Sequence, residues 1–290
     1  METFLQLTVS GIAVGSIYGL VSLGFLVVYH ATGLVNFGQG QVLMVGAVSA
    51  YLMLMQAGLP YPVVVLGVIV VGLLLTAVFR YGIHLPMVKA GAPVYSMVVA
   101  TIALGLVLSA LAGIIAGETT YGVTPLIPGD PVRLGGVAIP TQYLVITIVA
   151  WLLVLGVWIF FTKTLAGVSL RAVGINRNAA AVSGVRVGRM VTVGWVISIV
   201  ITALCGMLIA PIIGAGPAIG LTLAVKGFAA AAVGGMSNVY AGMVAGVALG
   251  LGEQYIGYYV STTWSPVVAY VLLLVALILM PARLREQGAH

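Results

Sequence analysis

Long apolar stretches separated by short polar punctuation organise this chain. Runs with almost no charge fall at 5–29, 39–55, 62–80, 95–116, 142–161, 191–213, 241–259 and 266–280. They lack the two-residue alternation of a half-buried strand and the one-sided stripe of a helix on a soluble core. At 1.5 Å per residue most of these runs make roughly 25–37 Å of helix, enough for a hydrocarbon core of about 30 Å. A ninth piece, 221–236, is shorter and carries Lys226. It is bracketed by Gly216, Pro217 and Gly220 on one side and Gly234 and Gly235 on the other, which predicts a half-span or broken helix. The expected fold is an all-α integral membrane bundle of about eight transmembrane helices plus this short segment. A single transmembrane domain fills 1–290, with one cytoplasmic segment near 163–190.

Composition strengthens the picture. The chain is 62% hydrophobic and 6% charged, against roughly 25% charged in an ordinary soluble domain, so water cannot be its main solvent. The net charge of +6 comes from basic residues at the ends of apolar runs. That placement sets membrane topology and excludes a nucleic-acid surface. Cys205 is the one cysteine, which excludes an internal disulfide or a cysteine-based metal cluster. The first run is too long for a signal-peptide core and has Glu2 in front of it, so it is expected to stay in the mature protein.

Lys163, Arg171, Arg177, Arg186 and Arg189 share one polar segment with no acid among them, and Arg283 and Arg285 follow the last run. Both regions are expected in the cytoplasm. The segment 117–141 holds Glu118, Asp130 and Arg133 and is expected outside. Arg80 and Lys89 then fall inside and the N-terminus outside. The C-terminus is cytoplasmic if 221–236 completes a crossing.

Glycines recur every four residues at Gly11, Gly15 and Gly19 and at Gly242, Gly246 and Gly250. Such stripes let helix backbones approach closely in lipid; they also fit a weak internal repeat.

Catalytic chemistry finds little footing. The sequence contains no phosphate-binding G-x-x-x-x-G-K-[ST] loop, no H-E-x-x-H and no G-x-S-x-G elbow, so an ATPase, metalloprotease or serine hydrolase is not expected. No metal site and no cofactor on this chain is expected. Lys226 and Glu253 are the ionisable residues inside apolar runs. A charge in hydrocarbon costs about 2.5–3.5 kcal/mol on the insertion scale, so each needs a partner, an aqueous cavity or a route to the interface. At equal depth the two would neutralise each other. The stretch Gly33-Leu-Val-Asn-Phe-Gly-Gln-Gly-Gln41 interrupts two runs with amides and glycines. It reads either as a tight turn or as a break whose Asn36, Phe37, Gln39 and Gln41 line a path.

Three stretches in order resemble the permeases of branched-chain (hydrophobic) amino-acid ABC importers. They are Gly33-Leu-Val-Asn-Phe-Gly-Gln-Gly, Leu165-Ala-Gly-Val-Ser-Leu-Arg-Ala-Val with Gly184-Val, and Val225-Lys-Gly-Phe-Ala-Ala-Ala-Ala-Val-Gly-Gly-Met-Ser-Asn-Val-Tyr with Gly252-Glu. The resemblance covers nearly the whole chain. It implies a bacterial inner-membrane subunit that pairs with a second homologous permease, two cytoplasmic ATPase subunits binding ATP and Mg, and an external substrate-binding protein. Leucine, isoleucine and valine are the usual cargo; relatives carry urea, amides or aromatic acids. The chain departs from the pattern at Gln41 and at Asn176-Arg-Asn178, where the family often has acidic residues.

The resemblance makes 171–185 a coupling segment that docks on an ATPase. Arg171 and the residues Asn178, Ala179, Ala180, Val182 and Gly184 would carry it. Asn178 is expected to cap a short helix over 179–183 that ends at Gly184, and Ala180→Glu is expected to block docking without unfolding the bundle. A stand-alone channel or secondary transporter for a small polar solute is the rival, but such carriers usually place carboxylates near the midplane.

Overall fold

The computed structural model describes residues 2–134, 137–236 and 238–279, and the chain there is almost wholly helical. The basic tail with Arg283 and Arg285 lies outside the described residues. Helix α1 is Glu2–Thr32 and α2 is Gln39–Tyr51, which continues through a π-helical turn, Leu52–Gln56. Helix α3, Tyr61–Ala77, runs through a second π segment, Val78–His84, into α4, Leu85–Lys89. Then come α5 (Val94–Ala116), a small hairpin of β1 (Val132–Leu134) and β2 (Val137–Ile139), and α6 (Thr141–Lys163). The second half comprises α7 (Leu165–Ile175), α8 (Arg177–Val182), α9 (Val187–Ile213), α10 (Ile219–Val233), α11 (Val239–Tyr259) and α12 (Ser265–Leu279).

Among the described residues, five helices are long and apolar enough to cross a membrane: α1, the continuous rod Tyr61–Lys89, α5, α6 and α9. Their surroundings differ sharply. The apolar window of α1 is 94% buried, against 33% for Tyr61–Lys89 and 22% for α5 and for α6. Helix α1 is therefore the axis of the bundle, packed by α6, α7, α9, α10 and α11. The other helices turn Leu66, Leu74, Leu106, Ile114 and Leu152 outward. Outward apolar side chains without a polar face identify lipid as the solvent, because water would not favour so much exposed apolar surface.

The glycine stripes face each other. An added Cβ at Gly15 would lie 2.7 Å from Val247 Cα, one at Gly19 would lie 3.0 Å from Met243 Cα, and one at Gly250 would reach 2.5 Å from Gly11 O. Ascending positions on α1 thus meet descending positions on α11, so the two helices are antiparallel and nearly in backbone contact. Small residues make this possible where lipid offers no hydrophobic drive.

The same logic orders the rest. Ser198 Oγ donates to Gly24 O at 2.7 Å, and a Cβ on Gly194 would meet Ala31, so α9 also runs against α1. Helices α9 and α11 are then parallel, and α10 must bring the chain back between them. Its 15 residues make roughly 22 Å of helix, less than a full hydrocarbon core, yet it performs the return. Arg80, Lys89, Lys163, Arg171, Arg177 and Arg189 gather at the end of the bundle where α1 stops. The hairpin, Glu118, Asp130 and the start of α1 occupy the other. There Tyr121 pairs with Ala215 as a single antiparallel bridge.

Candidate functional site

The break between α1 and α2 is held by side chains. Gly33, at φ +72°, ends α1 in the left-handed conformation that a residue without Cβ adopts cheaply. The chain then climbs back inside the bundle and restarts as α2 at Gln39, level with Gly24. At this depth freed backbone groups have no water and must find protein partners. Asn36 Oδ1 accepts from Gly38 N at 3.1 Å, and Asn36 Nδ2 donates to Gln39 Oε1 at 3.0 Å. Gln39 Nε2 donates to Ser198 Oγ at 3.0 Å and to Thr202 Oγ1. Phe37 N donates to Thr101 Oγ1 at 3.3 Å.

Asn36 and Gln39 are fully buried. They close the break instead of lining an opening, which corrects one of the two expectations for this stretch. Gln41 is half-buried against Gly105 of α5, whereas Phe37 projects at 38% exposure and packs against Phe228 with the rings tilted, centroids 5.3 Å apart. Gly24, Ser198 and Thr202 complete the knot. A Cβ on Gly24 would lie 2.6 Å from Thr202 Oγ1, so this glycine exists to admit the Gln39 amide. The only signal in the sequence was a pair of hydroxyls four apart on α9.

Nearer the hairpin end, Lys226 of α10 and Glu253 of α11 form an ion pair, with side chains 9% and 12% exposed. Tyr18 of α1 joins both: its hydroxyl donates to Glu253 Oε2 at 2.7 Å and accepts from Lys226 Nζ at 3.1 Å. Ser265 Oγ donates to Glu253 O at 2.8 Å. Among the described residues this is the one ion pair. Mutual neutralisation and a shared phenol remove most of the cost of two charges in a low dielectric. Tyr18 and Lys226 wall a cavity of about 330 Å³ whose other lining includes Val14, Ile209, Ile213, Thr222 and Leu223. It offers an ammonium and a hydroxyl beside aliphatic walls, with Glu253 behind them on the far side of the ion pair.

At the basic end, Thr164 caps α7 by accepting from Gly167 N at 3.0 Å. Asn176 caps α8, its Oδ1 accepting from Ala179 N at 2.9 Å. The expected cap, Asn178, is instead the exposed second residue of α8. Its place in the helix puts the earlier asparagine at the N-cap, where the side chain reaches the third amide. Gly184, at φ +85°, turns the chain after α8 as expected. Ala180 packs inward at 4% exposure, whereas Val182 and Ile175 stand out at 91% and 87%. Ala180→Glu would therefore disturb the packing of α8 itself, and the projecting face belongs to Ala179, Val182 and Ile175. Arg171 is exposed beside them. Arg177 Nη2 donates to Ala31 O at 3.0 Å, which fastens α8 to the C-terminal carbonyls of α1.

A family model, described as "Branched-chain amino acid transport system / permease component", matches residues 7–277. The chain belongs to this family. The permease is 28% identical to the high-affinity branched-chain amino acid transport system permease protein LivH of Escherichia coli, over 96% of this chain and 94% of that one. It is 26% identical to BraD, the corresponding permease protein of Pseudomonas aeruginosa, over the same shares. Among solved structures it resembles PsaBC from Streptococcus pneumoniae in complex with Fab. The TM-score is 0.53 at 15% identity, covering 97% of this chain and 93% of that chain. That likeness shows the fold alone.

Proposed function

We propose that this permease is the membrane-spanning subunit of an ATP-driven importer for branched-chain or related hydrophobic amino acids. The match over residues 7–277 carries the reading. It falls on a chain without a phosphate loop, so energy has to arrive by mechanical contact with another subunit. The projecting apolar face of α7 and α8, flanked by Arg171 and Arg177, is the surface suited to that contact. Two ATPase subunits, holding ATP and Mg, would dock there. A second homologous permease would complete the path, and an external binding protein would deliver cargo at the hairpin end. In this arrangement the basic end is cytoplasmic, the N-terminus external, and the bilayer is the bacterial inner membrane.

Cargo of this class has an ammonium, a carboxylate and an aliphatic side chain. Lys226 and Tyr18 at the aliphatic cavity are complementary to the carboxylate and the side chain, and Phe37 and Gln41 flank the break below. Tagged permease purified from its own host should bring down two ATPase chains. In proteoliposomes with the binding protein, that assembly should take up leucine, isoleucine or valine only with ATP. Uptake by the permease alone, without ATP or partners, would replace this reading with a stand-alone carrier.

A further inference from the structure

Arg80 is a buried cation with no carboxylate partner among the described residues. It sits at 5% exposure in the π segment after α3. Arg80 Nη1 donates to His84 Nδ1 at 2.8 Å, Nε to Thr192 Oγ1 at 3.3 Å, and Nη2 to Gly188 O at 3.5 Å. A guanidinium has five donors, so three are engaged by neutral acceptors and two remain. The chain has five acidic residues. Glu2, Glu118 and Asp130 lie at the opposite end, Glu253 is taken by Lys226, and Glu286 is outside the described residues. Arg177 and Arg189 add further positive charge around Arg80.

A cleft of about 510 Å³ opens beside it, lined by Arg80, Tyr81, Leu85, Arg189, Thr192 and Val196. Its polar part lies at the start of α9. Its apolar part follows α9 toward the middle of the bundle, Val196 lying about 10 Å deeper than Arg189 by helix rise. The outer wall is exposed to lipid at Val78 and Tyr81. Basic headgroup contacts above and an aliphatic groove below match the two halves of a lipid molecule, and basic clefts between helices at the positive end of a membrane protein recognise such headgroups.

We infer that this cleft binds one anionic phospholipid, its phosphate on Arg80, Arg189 and Thr192 and an acyl chain along Leu85 and Val196. The inference is independent of what the permease carries. The bound phosphate would supply a counter-charge that no described residue provides there, a charge-assisted contact of the stronger kind.

Arg80→Gln would also break the bonds to His84 and Thr192, so the exposed Arg189 and the groove carry the test. Full-length permease in detergent would be titrated with phosphatidylglycerol or phosphatidylcholine in mixed micelles, and lipid retention read by native mass spectrometry with thermal unfolding in parallel. Phosphatidylglycerol should be retained as a single tight copy and raise the midpoint, phosphatidylcholine should not. Arg189→Gln should weaken that retention about five-fold, the effect of one basic residue at an anionic headgroup. Val196→Trp should abolish it by filling the groove while the unliganded midpoint stays unchanged. Equal retention of the two lipids, or undiminished phosphatidylglycerol retention in both variants, would overturn the inference. So would stabilisation by inorganic phosphate matching that by phosphatidylglycerol, which would make the cleft a site for a free anion.

Discussion

Lys226 and Glu253 sit on different helices, and neither charge is tolerable alone at this depth. Removing one partner of a buried pair strands the other, at a cost of about 3–5 kcal/mol, whereas removing both charges is often nearly neutral. Lys226→Met should therefore lower the thermal midpoint of the purified permease severely, and Lys226→Met with Glu253→Gln should recover most of the loss. If the pair also meets cargo, the double variant will be stable and inactive in uptake. A stable single variant would show that water reaches Glu253. Both ions were legible as charges inside apolar runs. Tyr18, which joins them, was not, because a tyrosine in a hydrophobic helix carries no mark of what its hydroxyl faces.

At the scale of elements, glycine spacing and capping decide what touches what. Gly246 on α11 faces α1, and an added Cβ would lie 2.5 Å from Gly19 Cα, whereas Gly156 on α6 has nothing within 4 Å. Overpacking a tight contact costs about 1–3 kcal/mol, more where the obstacle is backbone. Gly246→Leu should reduce folded yield and midpoint, while Gly156→Leu leaves both unchanged; fluorescence-detected size exclusion would read the difference. On α8, Val182→Glu places a charge on the projecting face without touching the core. It should leave the midpoint unaltered and reduce ATPase recovery about tenfold or more, the scale of a central interface residue. Unchanged recovery and uptake would move the coupling surface elsewhere, most plausibly to the turn after α4. The capped helix was legible from its asparagines, but which asparagine caps and which alanine turns inward depend on where the helix starts, a shift of two residues.

For the whole molecule, the central prediction is orientation. Cys205 is fully buried, so the native chain gives no background to a membrane-impermeant thiol reagent. Asp130→Cys should react in right-side-out vesicles and Asn178→Cys only in inside-out ones. The reverse pattern would place the basic end outside and overturn the topology, since the two positions lie at opposite ends of the bundle.

By itself the sequence determined the solvent and the helical class, and three of its stretches carried the family resemblance. Solvent and class depend on sums and spacings along the chain, chiefly the length of apolar runs. Tertiary structure alone decided which helix is central. Hydropathy cannot tell α1 from α5 or α6, at 2.1 against 2.6 and 2.8, because lipid and a packed protein core are equally apolar. It also decided that Gln39 closes a break, since its partners Ser198 and Thr202 lie some 160 residues away. Likewise it left Arg80 in a cleft with no carboxylate among the described residues. Pairing across such distances is set by how the helices pack, and no local pattern encodes it.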